Sequence, residues 1–354
     1  MVAETDLGGG LVRVDPSDPG IGRSRRGRGF RYFDADGRPL ADRRELARVR
    51  ALAVPPAWRE VWICAEPDGH IQAVGTDAAG RKQYLYHGRW RRERDREKFD
   101  RVLRLARRLP PMRDQVAARL AEGGLGRERV LAGALRMLEL GAFRVGGEEY
   151  APADEDDDGT FGLATLRRDH VRRVRGEVRV CYPAKGGAER IISLRDPEIH
   201  RLVGALLRRR GSTDDLLVYR NGRDWHDVRA DDINGYLKEL VGPEYTAKDL
   251  RTWNATVLAA VVLANCRRER AGSARGRRRE FNRACKRVAE HLGNTATVAR
   301  QSYIDPRVAE AFEHGRTIER AVRRAARKGV AAAEARDIVE PAVARLLKQP
   351  RPPR

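Results

Sequence analysis

Residues 255–264 run Ala-Thr-Val-Leu-Ala-Ala-Val-Val-Leu-Ala, apolar at nearly every position. A helix of that composition needs neighbours packed around it, so the run predicts the centre of a helical domain. Just upstream, Thr246-Ala247-Lys248-Asp249 fits a helix N-terminal capping pattern. Lys248 and Arg251 then fall in the first turns, three apart on one face. A helix N-terminus also favours an anion, so a chemically active end on a buried helix is a first expectation.

Helical periodicity dominates from about Glu93 onward. Val130, Leu131, Ala134, Leu135 and Leu138 mark one helix, and Phe281, Cys285, Val288 and Leu292 mark another. Between them, residues 178–182 and 190–194 read as strands of a β-hairpin with Lys185, followed by Gly186-Gly187, near its tip. From Phe30 to about Trp90 the signals are short strands and turns. Residues 61–64 and 70–74 flank a Pro67-Asp68-Gly69 turn, and Gln83-Tyr84-Leu85-Tyr86 reads as a further strand. The expected fold class is α+β: a flexible basic tail over 1–29, a β-rich N-terminal domain over 30–92, a larger mainly helical domain over 93–316 and a C-terminal helical extension over 317–354. The extension reads as trailing basic helices interrupted at Pro341.

Charge indicates the partner. Lys and Arg number 72 against 51 acidic residues, a formal net charge of +21, which suits a polyanion such as nucleic acid. Four cysteines show no paired spacing and read as reduced, buried thiols. No stretch approaches the length of a membrane span, and residues 1–29 lack the apolar core of a secretory signal. A cytoplasmic, nucleoid-associated protein that meets no membrane is expected.

A set of side chains in chain order suits one reaction. Arg144 follows a helix ending near Gly141, Lys185 sits on its hairpin, Arg251 follows Lys248, and Asn294 follows Gly293 at a helix end. Tyr303 comes nine residues later. A phosphodiester repels nucleophiles and has a poor leaving group, so its cleavage needs cationic donors on the non-bridging oxygens and an acid at the leaving oxygen. Arginine supplies the first with a forked donor geometry. Lysine, which can titrate, suits the second. Each residue alone has an ordinary structural reading: a surface arginine, a turn lysine, a capped helix, a helix-terminating asparagine, a core tyrosine.

On these residues the chain resembles the type IB DNA topoisomerases, in particular the small poxvirus-like branch found in bacteria, from about Phe30 to Phe312. Phe143-Arg144-Val145-Gly146 and Tyr182-Pro183-Ala184-Lys185 resemble the segments bearing the first arginine and the lysine acid. Lys248-Asp249-Leu250-Arg251 resembles the second arginine motif, and Leu292-Gly293-Asn294 with Tyr303 resembles the last segment. The resemblance implies a clamp around duplex DNA, a Tyr303 nucleophile forming a 3′-phosphotyrosyl bond, and support from Arg144, Lys185, Arg251, Asn294 and Lys248. It implies a monomer needing no ATP and no cofactor. Gly80-Arg81-Lys82-Gln83-Tyr84-Leu85-Tyr86 resembles a strand that the family lays on DNA. Tyr84 and Tyr86 share a face with an amide neighbour in reach of bases, while Arg81 and Lys82 hold phosphates. Tyr150 is counted with these DNA-contacting candidates. Viral members carry histidine where this chain has Asn294, which can donate a hydrogen bond but carries no proton.

Two other motifs fail on inspection. Asp154, Asp156, Asp158 and Gly159 imitate the start of a calcium loop, but Thr165 stands where a bidentate Glu is needed. Gly75 and Gly80 have phosphate-loop spacing, but Arg81-Lys82-Gln83 follows where Lys and then Ser or Thr are needed. A tyrosine recombinase shares the nucleophile and the Leu-Gly-x…Tyr spacing, but carries histidine where this chain has Lys248. A non-catalytic architectural DNA binder explains the charge but not the ordered set.

Overall fold

The computed structural model describes residues 10–147, 160–183, 189–210, 213–266, 271–328 and 332–348. They fall into two compact units, with the boundary between Lys98 and Phe99.

The first unit is built on a five-stranded antiparallel sheet, in the order β2-β1-β3-β4-β5. Its strands are β1 (Ile21–Arg26), β2 (Gly29–Phe33), β3 (Arg59–Ile63), β4 (Ile71–Thr76) and β5 (Lys82–Tyr86). A helix, α1 (Arg43–Ala51), is started by the Asp42 carboxylate, which accepts from the backbone N–H groups of Arg44 and Glu45. Ile21, Val49, Val54, Val61, Ile63 and Ala73 form the small core. The described part of the expected tail is therefore not loose. Residues 21–26 are an inner strand, paired with β2 on one side and β3 on the other. Leu11 and Ile21 are buried, so two apolar side chains anchor a stretch whose composition is otherwise basic and Gly-rich. Gly27, at φ +57°, makes the tight β1–β2 turn.

Helix α2 (Gly88–Leu105) contains the boundary between the units. The second unit then runs through α3 (Leu109–Ala121), α4 (Arg127–Gly141), β6 (Val171–Val174), β7 (Glu177–Pro183), β8 (Glu189–Leu194), α5 (Pro197–Arg208), β9 (Val218–Asn221) and β10 (Asp224–Asp227). It continues with α6 (Ala230–Val241), α7 (Ala247–Ala264), α8 (Ala274–Leu292), α9 (Ala296–Val298), a π-helical turn (Ala299–Tyr303), α10 (Pro306–Glu313), α11 (Glu319–Lys328) and α12 (Ala332–Lys348). β6, β7 and β8 form one antiparallel sheet, and β9 and β10 pair as a hairpin. The inward side of α7 is central, as its composition predicts: Trp253, Ala255, Ala259 and Ala260 are buried. Its Val257, Leu258, Val261 and Val262 flank is half-buried.

The C-terminal helices are part of this core. Val339, Val343, Leu346 and Leu347 on α12 are buried with it. Pro341 does not interrupt α12, which continues through it. The lost backbone hydrogen bond is offset by buried apolar side chains before and after the proline and by Glu340, whose carboxylate takes two hydrogen bonds from Arg113 at 2.8 and 3.0 Å. Of the four free cysteines, Cys64 and Cys285 are buried as expected, whereas Cys181 and Cys266 are half-buried.

Candidate active site

Arg251 lies one turn into α7 and is buried. The helix start is fixed by Asp249, whose carboxylate accepts from the Thr246 backbone N–H and hydroxyl, both at 3.0 Å, and from Arg101 at 2.8 Å. Asp249 therefore serves the fold. Arg251 donates to the carbonyls of Ala142 and Leu292, so it ties together the chain just before Arg144 and just before Asn294. Burial pushes its pKa down to about 10, against the favourable effect of the Tyr303 phenol, with Arg190 and Arg144 repelling in the same direction as burial. At neutral pH it remains a cation, poorly solvated and close to other cations. That is a favourable place for a phosphate.

Arg144 is delivered by a sharp exit from α4. Ala142 caps that helix at φ 47° in the left-handed region, a conformation costing a non-glycine residue roughly 1 kcal/mol. The following backbone is held by the N–H groups of Leu163 and Ala164, which donate to the carbonyls of Arg144 and Val145 at 2.8 and 2.7 Å. Gly146 and Gly162 cross so closely that a Cβ on either would overlap the other's backbone. Arg144 donates to the Asn294 side-chain oxygen, so the first arginine and the expected oxygen ligand face each other. Asn294 is placed by Gly293, the left-handed cap of α8 at φ 62°.

Tyr303 is half-buried at the end of the π-helical turn, a backbone form often found at functional sites. The Arg251 guanidinium carbon lies 5.3 Å from its ring centroid, a cation–π contact. Thr256, the polar exception in the apolar run of α7, donates its hydroxyl to the Tyr303 carbonyl at 3.1 Å and accepts from the Asp305 N–H at 3.2 Å. The core helix thus holds both Arg251 and the backbone of Tyr303.

Arg144, Asn294, Arg190, Gly293, Lys286 and Ile191 line a cleft of about 690 Å³. Three buried donors, Arg251 Nε, Arg190 Nε and Asn294 Nδ2, have no hydrogen-bond partner among the described residues. Buried unpaired donors are costly, and anionic oxygens are the acceptors such a set would take. Among the described residues no group of His, Cys, Asp and Glu could hold a metal ion.

Residues 87–328 match the family model described as the catalytic core of eukaryotic DNA topoisomerase I, and residues 29–77 match the N-terminal domain of bacterial DNA topoisomerase IB. The chain belongs to the type IB DNA topoisomerases. It is also similar to DNA topoisomerase 1B of Acanthamoeba polyphaga mimivirus, 28% identical over 291 residues that cover 80% of this chain and 85% of the relative. DNA is its substrate, and relaxation of supercoiled duplex by the type IB route is its reaction. No described helix is long and apolar enough to cross a membrane.

In this topoisomerase Arg144 and Asn294 are hydrogen-bonded to each other, and Arg251 lies over the Tyr303 ring while bonding the carbonyls two residues before each of them. Lys248 differs from its neighbour Arg251: its side chain is exposed, so the two do not share one environment. Lys185 and Tyr150 lie outside the described residues, as does the acidic run 154–158. The strands on either side of Lys185, β7 and β8, pair in register from Val178–Leu194 to Pro183–Glu189.

In the first unit, β5 is an edge strand. Tyr84 and Tyr86 are exposed on one face and stack with ring centroids 6.0 Å apart, and the Lys82 ammonium lies 5.9 Å from the Tyr84 centroid. Gln83 is not beside them. Strand alternation puts it on the opposite face, where its amide donates to Asp77 at 3.0 Å. Arg81 pairs with the same carboxylate at 3.0 Å.

Sequence reasoning missed two residues. Thr256 was detectable as the one hydroxyl within an apolar run. Arg190 was detectable from the alternation of β8, where it shares the inward face with Ile192 and Leu194. A charged side chain at an inward strand position calls for a reason.

Proposed function

We propose that Tyr303 is the nucleophile of this topoisomerase, and that Arg144, Arg251 and Asn294 bind the non-bridging oxygens of the scissile phosphate. The observation that carries this reading is the buried Arg251. It meets the half-buried Tyr303 phenol on one side and the carbonyls leading into Arg144 and Asn294 on the other.

In the forward step the phenolic oxygen forms a bond to phosphorus while the bond from phosphorus to the 5′ oxygen breaks. The phenol gives its proton to water, and the departing 5′ oxygen gains one from the Lys185 ammonium, with Lys248 supporting proton transfer. The strand end is left as a 3′-phosphotyrosyl ester and its partner as a 5′-hydroxyl. The free strand swivels and the hydroxyl then reverses the attack. The ester conserves the energy of the broken bond, so no ATP is required, and the arginines supply the positive charge at the phosphate. The N-terminal unit has a DNA-contacting strand of its own. Tyr84, Tyr86 and Lys82 offer an exposed aromatic and cationic strand to DNA, with Arg81 and Tyr150 as further contacts. A single chain supplies the whole set, which suits a monomer acting on chromosomal DNA in the cytoplasm.

The direct test is relaxation of a supercoiled plasmid in EDTA without nucleotide. Full relaxation of either supercoil sign is expected; dependence on ATP or Mg²⁺, or strand exchange confined to a specific recombination site, would contradict the reading. The acid has its own test. Lys185→Ala should cut a normal duplex on the order of 10²–10⁴-fold more slowly, and replacing the leaving 5′ oxygen with sulfur should restore most of the rate. A sulfur substrate cut as slowly as the normal one would remove Lys185 from the acid role.

A further inference from the structure

Arg190 is half-buried beside the cleft, and no ion pair joins it to a carboxylate among the described residues. Its Nη2 donates instead to backbone carbonyls: His291 at 2.7 Å, Gly141 at 3.3 Å and Ala142 at 3.4 Å. All three belong to the C-terminal ends of α4 and α8. Gly293 permits this approach, since a Cβ there would collide with Arg190 Nη1. Burial lowers the pKa of Arg190, as does repulsion from Arg144, so the cation is held there at a cost in solvation.

The carbonyl end of a helix carries roughly half a negative charge, which repels anions. Two such ends meet at this site, next to the side chains that are to receive a phosphate. Arg251 donates to the same two ends, and it shares the Ala142 carbonyl with Arg190. If Arg251 turned its donors to a phosphate without a second cation in place, buried carbonyls would be left unpaired. The anion would then also face two exposed dipole ends.

We propose that Arg190 is a positioning residue of the cleavage reaction. It keeps the C-terminal carbonyls of α4 and α8 capped and their negative ends neutralised, so that Arg251 can be given over to the scissile phosphate. By joining β8 to the ends of both helices it also keeps Arg144 and Asn294 opposed. This inference rests on the phosphate reading of the site given above.

Single-turnover cleavage by Arg190→Met and Arg190→Lys tests it, using duplexes whose scissile linkage is either a phosphate or an uncharged methylphosphonate. Arg190→Met is expected to cut the phosphate on the order of 100-fold more slowly while binding the duplex about as well as the parent. Arg190→Lys should recover part of the loss. On the methylphosphonate, which has no anionic charge to repel, the deficit of Arg190→Met should shrink to a few-fold. An equal deficit on both linkages would mean a purely architectural role and would overturn the proposal, as would a parental rate on the phosphate. Should Arg190→Met fail to fold, Arg190→Gln makes the same comparison. Arg144→Lys and Arg251→Lys run alongside as controls. If they too cleave at the parental rate, the phosphate reading itself fails; if they are slow and Arg190→Met is not, only the role of Arg190 is lost.

Discussion

Tyr303→Phe should abolish both the covalent protein–DNA adduct and plasmid relaxation while leaving duplex binding within a few-fold of the parent. The substitution deletes one oxygen. Phenylalanine keeps the ring that stands over Arg251 at 5.3 Å, and the backbone stays fixed by Thr256 and Asp305. The contacts that the ring and the backbone make are therefore kept. Strand cleavage without an attacking oxygen is a different matter, because no other tyrosine is tied to Arg251 among the described residues. Gel-resolved adduct formation on a labelled duplex, with binding measured in parallel, separates the two effects. Residual relaxation by the variant would show that another group attacks the phosphate.

Arg251→Lys is the second large effect expected, on the order of 10²–10³-fold in the single-turnover cleavage rate. Lysine keeps one positive charge but cannot fork, and it titrates where it is desolvated. Arg251 is buried, with one guanidinium reaching both the Ala142 and Leu292 carbonyls and also contacting Tyr303. A single ammonium cannot meet those partners and a phosphate together. Some loss of stability will accompany the change, about 1–3 kcal/mol if one carbonyl is left unpaired, so cleavage should be measured well below the melting transition. A rate within threefold of the parent in folded protein would show that charge alone suffices and that the forked geometry is not used.

Local signals in the sequence carried most of the architecture. The period of α8 was set by Phe281, Cys285, Val288 and Leu292, all of which are buried. Strand alternation correctly put Tyr84 and Tyr86 on an exposed face. Composition misled where a few apolar residues outweigh many basic ones: Leu11 and Ile21 fold a segment that otherwise looks like a tail. Pro341 misled because helix propensity is local, whereas the packing of Val339, Val343 and Leu347 is tertiary. In the site, chain order pointed to Arg144, Arg251, Asn294 and Tyr303, but not to what holds them. The carbonyl ends of α4 and α8 come together through contacts more than a hundred residues apart in sequence, such as Arg251 to Ala142, and no local pattern records that. The same gap hid Arg190, one arginine among many until its strand face and its carbonyl partners are known. Gln83 was misplaced for a different reason: the alternation that pairs Tyr84 with Tyr86 already turns Gln83 to the other face of β5, where Asp77 holds it.

One measurement bears most directly on the central claim. A duplex nicked so that religation is prevented is reacted with the parent protein, the adduct is digested with protease and nuclease, and the modified peptide is sequenced by mass spectrometry. The nucleotide should be esterified through its 3′ phosphate to the phenolic oxygen of Tyr303. Attachment to any other side chain, or through a 5′ phosphate, would contradict the account.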